Sequence, residues 1–280
     1  MAELMTIIAL IPYKDGVLTI SDSRGTIALP FVALYKNRMK KTFVSKDGDL
    51  TIAGSGGADI IVAATYAMFN SEPLLKQYLK DNDSQTEKEL EARISKITRW
   101  CMGNASSALL MTVRLDDGTI KTVYADINPA KLPVSKPKTK LYQIPDGGLI
   151  ADGLDGTVQD YLDALADKYY LKSKIELADA LAVGFMLEDR YMEKNYTITY
   201  RLARVHGVGG AIKAHAMDFE KSNDISIVIS KAERERLEGR SYEELRAYFA
   251  EKIAARQGFK ELLRTEPSAS AHKSKSASVS

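Results

Sequence analysis

Thr6, Asp22 and Lys41 are three residues whose types and order along the chain could support acyl-transfer chemistry. A threonine hydroxyl is a poor nucleophile until a base removes its proton. If Thr6 were the first residue, its own α-amine, with an ordinary pKa of about 8, could be that base near neutral pH. The positive charge of Lys41 would lower the pKa of this amine, and Asp22 would hold Lys41 charged and oriented. Together they predict a nucleophile, its base and an ion pair that tunes the base.

Each of these residues taken alone is more typical of a structural role. Thr6 begins an apolar strand-like segment, Asp22 lies in a turn, and Lys41 belongs to a pair of lysines of the kind that usually faces solvent. Only their joint order and spacing favour a chemical function.

Two other features suggest chemistry less strongly. The glycine-rich segment Gly54–Gly57 lies between a strand and a helix, but Asp59 stands where a GxGxxG nucleotide-binding motif needs its third glycine. Cys101 lies on the apolar stripe of a predicted helix, which is typical of a buried structural thiol. The three histidines lack the HExxH spacing of a zinc site, so no metal and no cofactor are expected.

Composition excludes several classes of protein. The 280 residues are 45% hydrophobic and 27% charged, and 39 basic against 37 acidic residues give a net charge of +2. Such a balance favours neither a nucleic acid nor an anionic membrane as partner. No apolar segment approaches the roughly 18 residues of a membrane helix, and the N-terminus lacks the basic region of a signal peptide. We expect a cytoplasmic protein.

The elements that must position these residues alternate in blocks. Hairpins with Asp-Gly turns are predicted near residues 6–22 and 42–53, and a helical pattern follows over 58–79. A second helix, another hairpin, two more helices, a strand over 224–229 and a last helix complete the order. Strand blocks separated by paired helices predict an α+β fold, a four-layer αββα sandwich with two antiparallel sheets between helix layers.

The segments around the three residues carry a family resemblance. The chain contains an acidic residue sixteen positions after Thr6 in Ser21–Arg24 (SDSR), a lysine pair in Lys40–Phe43 (KKTF), and the turn Ala53–Asp59 (AGSGGAD) before a long helix. These segments resemble the N-terminal-nucleophile threonine peptidases, specifically proteasome β-subunits and their bacterial relatives. The resemblance is specific over about residues 5–65 and rests on element order beyond them.

The resemblance implies roles for individual residues. Thr6 would be the nucleophile, and Lys41 and Asp22 would assist it. The backbone N–H of Gly54 would line the oxyanion hole, where a tetrahedral intermediate needs hydrogen-bond donors.

Supporting groups of the family match this chain less closely. Arg24, Asp218 and Ser222 are the best candidates, although the spacing of the last two differs and the expected glycine is absent. The turn at 152–156 also lacks the family's serine. A stretch at about 193–223 is predicted to be an insertion.

The domain organisation follows from composition. The sequence predicts a short leader or alternative start over residues 1–5, one domain over 6–260, and a Ser/Ala/Lys-rich disordered tail over 265–280. Thr6 needs a free amine, so the bond after Met5 must be broken, either by self-cleavage or by removal of an initiating methionine.

The predicted function is hydrolysis of peptides or unfolded protein inside a homo-oligomeric ring. An ATP-dependent unfoldase is a possible partner implied by the resemblance alone. A catalytically silent structural subunit and an acyl-transferring variant (a transpeptidase or ligase) are the alternatives that the sequence leaves open.

Overall fold

Strands and helices alternate in blocks along the chain. The computed structural model describes residues 7–23, 25–28, 33–36, 40–101, 106–128, 138–152, 157–171, 175–191, 198–200, 203–205 and 210–265. In chain order the strands are β1 (Ile8–Tyr13), β2 (Gly16–Asp22), β3 (Gly25–Ala28), β4 (Ala33–Lys36), β5 (Thr42–Val44), β6 (Leu50–Ser55), β7 (Ser107–Arg114), β8 (Ile120–Asn128), β9 (Lys138–Ile144), β10 (Ile150–Asp152), β11 (Ile198–Tyr200), β12 (Ala203–Val205), β13 (Ile212–Asp218) and β14 (Ile225–Ile229).

The helices occupy the intervals between these strand blocks. They are α1 (Ala58–Phe69), α2 (Glu72–Asp81), α3 (Ser84–Thr98), α4 (Thr157–Lys168), α5 (Leu177–Arg190), α6 (Lys231–Leu237) and α7 (Tyr242–Thr265), with a 3-10 turn at Lys221–Asn223. The continuous pattern over 58–79 forms two helices because Pro73, which cannot continue a helix from the preceding turn, stands at the start of α2.

Two antiparallel five-stranded sheets carry the fold. The first sheet has the strand order β10-β1-β2-β13-β14 and the second has the order β5-β6-β7-β8-β9. The hairpins β3–β4 and β11–β12 stand outside both sheets. The pairing of β2 with β13 places segments from opposite ends of the chain side by side in the first sheet.

Side-chain alternation along β1 separates two cores. Ile8 and Leu10 face the second sheet, where they pack in one cluster with Leu110. Ala9 and Ile11 point the opposite way and pack in a second cluster with residues of α4, α5 and α7. A third cluster covers the outer face of the second sheet with α1, α2 and α3. The layers are therefore helix, sheet, sheet and helix, which confirms the predicted α+β four-layer αββα arrangement.

α5 lies close to β2 because Gly184 has no side chain. A Cβ at this position would lie 2.8 Å from Cδ1 of Ile20. Glu188 follows one turn later on the same helix face. The close contact thus carries an acidic side chain toward the end of β2.

The segment 193–223, predicted to be an insertion, contains a strand of the first sheet in its second half. Residues 212–218 form β13, which lies between β2 and β14 in the first sheet. Strand β13 pairs with β2, from the other end of the chain, and a local sequence pattern does not predict such a pairing. The leader 1–5 and the tail beyond Thr265, where α7 ends, lie outside the described residues.

Membrane insertion through a helix finds no support in the described residues. None of their helices combines the length and the apolar character that a bilayer crossing requires.

Candidate active site

A buried ion pair joins the two sheets at one end of the sandwich. Asp22 is the last residue of β2 in the first sheet, and Lys41 directly precedes β5 in the second. Lys41 Nζ lies 2.7 Å from Asp22 Oδ1, and the two side chains are only 5% and 1% exposed. The structure therefore contains the pairing that the sequence predicts. Because burial is costly for two charges, such a pair is weak support for stability, and its field acts on neighbours with little screening.

The first described residue, which directly precedes β1, lies against this ion pair. Thr6 and Arg24 are outside the described residues. Ile7, which follows Thr6 in the chain, donates its backbone N–H to Asp22 Oδ1 at 3.4 Å. This is the same oxygen that accepts from the lysine. The acidic group therefore contacts both the cation and the peptide that follows the predicted nucleophile.

Hydroxyl groups hold the strands on either side of the ion pair. Ser21 Oγ and Thr42 Oγ1 are 2.7 Å apart and make a second connection between the sheets. Ser23 Oγ accepts from the N–H of Ala211 at 2.8 Å, which fixes the end of β2 beside the start of β13. The backbone that presents the ion pair is thus bonded on both sides.

Glu188, in the last turn of α5, is a third ionisable residue at this site. It is 0% exposed, and neither carboxylate oxygen has a hydrogen-bonding partner within the part of the chain that the structure describes. Burial raises the pKa of Glu188 well above its ordinary value, and the negative charge of Asp22 raises it further. Lys41 and Arg234 act in the opposite direction. The Asp22 N–H also lowers this pKa, without making a hydrogen bond of normal geometry.

Glu188 is not among the site residues that the sequence motifs predict, although its position on the helix gives a signal. Leu181, Phe185 and Glu188 follow one another at spacings of four and three residues, which places them on one helix face. A carboxyl group in the apolar stripe of a buried helix requires either a partner or a function. That position was therefore identifiable from the helical pattern alone.

Comparisons with known proteins bear on the fold. No family model matches the sequence, and no curated protein is similar to it. Among solved structures, the chain is similar to a mutant of Anbu from Hyphomicrobium sp. strain MC1, a bacterial proteasome-like protein. The TM-score is 0.53 at 13% identity, over 92% of this chain and 99% of that chain. The chain has a proteasome-like N-terminal-nucleophile hydrolase fold.

Within this proteasome-like fold, the backbone N–H of Gly54 does not have the oxyanion-hole role that the sequence predicts. Its N–H donates to the carbonyl oxygen of Lys41 at 3.0 Å and so closes the β5–β6 hairpin. A Cβ at Gly54 would lie 2.4 Å from Cγ2 of Ile61 in α1. The assignment of this N–H to an oxyanion hole is wrong, because the hairpin uses the donor. Close packing of α1 accounts for the glycine.

Asp218 and Ser222 lie at the other end of the proteasome-like sandwich. Asp218 pairs with Gly16 at the start of β2, whereas Asp22 ends that strand. Six residues of strand separate the two ends by roughly 20 Å. Ser222 lies in the 3-10 turn that follows Asp218. Their predicted support of the site is therefore wrong. The loosely matching motif occurs after β13, which runs away from the ion pair.

The same far end contains a group of carboxylates, and it is the one group in the described ranges close enough to share a metal ion. Its members are Asp47, Asp49 and Glu72. Lys76 Nζ lies 3.3 Å from Asp49 and 3.2 Å from Glu72, and Lys221 Nζ lies 2.8 Å from Asp49. Ammonium groups already balance these charges, so we assign no metal or cofactor to them.

Proposed function

We propose that this protein is a threonine-type peptidase in which Thr6, once it is the N-terminal residue, is the nucleophile. One observation carries the proposal. In a proteasome-like fold, Asp22 Oδ1 accepts both from buried Lys41 Nζ at 2.7 Å and from the N–H of Ile7, the residue after Thr6, at 3.4 Å. Because Thr6 directly precedes Ile7 in the chain, the proposal places Thr6 near this buried cation.

The chemistry uses the two functional groups of an N-terminal threonine. The free α-amine of Thr6 accepts the proton of its own hydroxyl, and Oγ attacks the carbonyl carbon of the substrate peptide bond. The protonated amine then donates its proton to the leaving amine as the C–N bond breaks, which leaves an ester on Thr6. Water, deprotonated by the same amine, attacks the ester carbonyl carbon. The ester C–Oγ bond breaks, the amine returns the proton to Thr6 Oγ, and the carboxylic acid product leaves. An amine in place of water would give the transpeptidase variant.

Lys41 acts in this scheme through its charge. A neighbouring cation disfavours the protonated form of an amine and so lowers its pKa, which increases the fraction of Thr6 amine available as base near neutral pH. Burial keeps the interaction strong, because little water screens it. Asp22 holds Lys41 in place and keeps it charged.

A catalytically silent subunit of the same fold is the second candidate function. The position of the Gly54 N–H favours it, because acyl transfer needs a hydrogen-bond donor for the oxyanion and this donor is bonded to the Lys41 carbonyl. The bulky Met5 before Thr6 also favours it, since it hinders self-cleavage.

A homo-oligomeric ring is the assembly that we propose. Val62 and Tyr66 lie one turn apart on α1 and are 58% and 64% exposed, so an apolar strip faces outward. Such a strip on a second copy could cover it in a symmetric assembly. The enclosed substrates would be peptides or unfolded proteins, and an ATP-dependent unfoldase would deliver them.

Intact-mass measurement on the protein from its native source tests the proposal. A mass that lacks residues 1–5 supports the peptidase, because Thr6 then has a free amine. A mass that retains Ala2–Met5 supports the silent subunit. The companion assay compares peptide cleavage by protein that begins at Thr6 with its Thr6→Val variant, which removes the hydroxyl at nearly constant volume. Loss of cleavage is expected for Thr6→Val and retention for Thr6→Ser.

A further inference from the structure

We propose that Glu188 is a positioning residue of this site, a carboxylic acid kept protonated so that it does not compete with Asp22 for Lys41. Its effect on turnover rests on the proposed function. Its protonation state and its coupling to Lys41 do not.

The surroundings of Glu188 cannot support a negative charge well. Its two oxygens have no hydrogen-bonding partner in the described ranges, and its side chain is fully buried. A buried carboxylate without such bonds is much less stable than one in water, so the group keeps its proton instead. Glu188 thus occupies an environment that suits a neutral acid.

Three charged groups on three elements act electrostatically on Glu188. They are Asp22 at the end of β2, Lys41 before β5 and Arg234 on α6. Arg234 is 6% exposed and donates through Nη1 to the carbonyl oxygen of Gly210 at 3.1 Å, so part of its guanidinium is already engaged. Lys41 is 2.7 Å from Asp22. The nearby cations therefore already have other acceptors.

Ionisation of Glu188 would change the balance at the site. Two carboxylates would then compete for Lys41, and the added negative charge would raise the pKa of the Thr6 amine. A higher amine pKa means less free base at a given pH, so turnover should fall as Glu188 loses its proton. The proton on Glu188 therefore sets an alkaline limit to activity.

The test compares the pH dependence of unfolding for the wild type and for Glu188→Gln, which mimics the neutral acid. When the folded-state pKa of a carboxyl lies above its unfolded value, the folded protein binds more protons between the two values, so stability falls as pH rises through that window. The window begins at the ordinary Glu pKa, about 4.3, and extends upward. Urea unfolding is measured between about pH 5 and pH 9. The ratio of the folding constant of Glu188→Gln to that of the wild type should rise with pH, by up to about tenfold per pH unit.

Two further variants make this test specific. Glu235→Gln removes an exposed carboxyl from α6 and should give a gap that does not widen with pH. The same comparison is repeated in proteins that also carry Lys41→Met. There the stability difference caused by Glu188→Gln should keep increasing to higher pH, since Lys41 no longer favours the carboxylate. A constant gap in the wild-type background, or an identical pH range in both backgrounds, would overturn the proposal.

Turnover provides the last comparison. In protein that begins at Thr6, the alkaline decline of turnover should move to higher pH in Glu188→Gln. Superimposable pH profiles would overturn the positioning role. If the wild type cleaves no peptide at all, the proposed function fails, and the unfolding comparison still decides whether Glu188 is protonated and coupled to Lys41.

Discussion

The two ends of the sandwich both join the sheets through a buried cation, but they use it differently. At the site end, Lys41 meets Asp22 beside a carboxyl group, Glu188, that has no hydrogen-bonding partner within the described part of the chain. At the other end, which we call the turn end, Arg114 of the second sheet donates to Asp49 at 3.2 Å, to the Asp218 carbonyl at 2.6 Å and to Asp224.

The difference separates a structural clamp from a site suited to chemistry. A guanidinium cannot lose its proton in a protein, and Arg114 directs its donors to acceptors on both sheets. The Glu188 carboxyl can gain or lose a proton, and it is buried together with Lys41. The turn end should therefore control stability, and the site end should control reactivity.

Loss of Lys41 should give the largest effect and the clearest support for this division. In protein that begins at Thr6, Lys41→Met should lower peptide turnover about 100-fold to 1,000-fold, because the charge that tunes the amine is lost. Steady-state cleavage of a peptide substrate measures it, and Asp22→Asn should behave similarly. The control is Lys40→Met, since Lys40 is exposed and lies over the Phe43 ring. A fall of less than about tenfold for Lys41→Met would contradict the role.

Loss of Arg114 should act on stability instead. Arg114→Leu removes a buried guanidinium from Asp224 and the Asp218 carbonyl and leaves Asp49 with its two lysines, so the free energy of unfolding should fall by about 3–5 kcal/mol. Urea denaturation measures this change. Arg93→Leu breaks an exposed pair with Glu89 and should cost less than about 1 kcal/mol. Equal losses for the two variants would remove the distinction between the two ends of the molecule.

His215 on β13 offers a pH test of the turn-end charges. Its Nδ1 is 2.8 Å from Ser226 Oγ, and burial lowers its pKa, with Asp224 raising it and Arg114 lowering it. The folded protein therefore disfavours the charged ring. Stability should fall as pH drops below the ordinary His pKa of about 6.5, by at most about 1.4 kcal/mol per pH unit.

The comparison variant for this test is His215→Gln, which cannot titrate. Between about pH 7.5 and pH 5, the wild type should lose stability relative to this variant in urea unfolding. Parallel curves would show that the ring charges as easily in the folded as in the unfolded chain.

The hydroxyl pair at the site end should have the smallest effect. A double-mutant cycle with Ser21→Ala and Thr42→Val should give a coupling of about 0.5–1.5 kcal/mol in the free energy of unfolding, as expected for one hydrogen bond. Ser95, on α3 in the outer helix layer, donates a hydrogen bond to Thr139 on β9. A cycle of Ser21→Ala with Ser95→Ala should therefore be additive within about 0.5 kcal/mol.

Local signals predict much of the fold. The β1–β2 hairpin follows from two apolar segments around an Asp-Gly turn, and the last helix follows from a capping box. Ser241 and Glu244 do exchange backbone and side-chain hydrogen bonds there. Local signals do not predict the place of β13, because its partner, β2, is far away in the sequence and alternation over a few residues does not identify a partner.

The site is predictable in part for the same reason. Asp22 ends β2 and Lys41 directly precedes β5, and local signals set the limits of both strands. The two side chains therefore meet once the sheets stack. The direction of the Gly54 N–H depends on the register of the hairpin. The place of Asp218 depends on which way β13 runs. Neighbouring residues in the sequence predict neither the direction of the Gly54 N–H nor the place of Asp218.

Successive side chains of β2 point to opposite faces of the sheet. This alternation also restricts how the chain can change in length during evolution. Asp22 shares a strand face with Leu18 and Ile20, which pack against the helix layer. One residue inserted within β2 would turn the carboxyl toward the opposite face and separate it from Lys41. Insertions and deletions should therefore be rare inside β2. They should accumulate instead in the β3–β4 hairpin, which belongs to neither sheet and can lengthen without shifting a register.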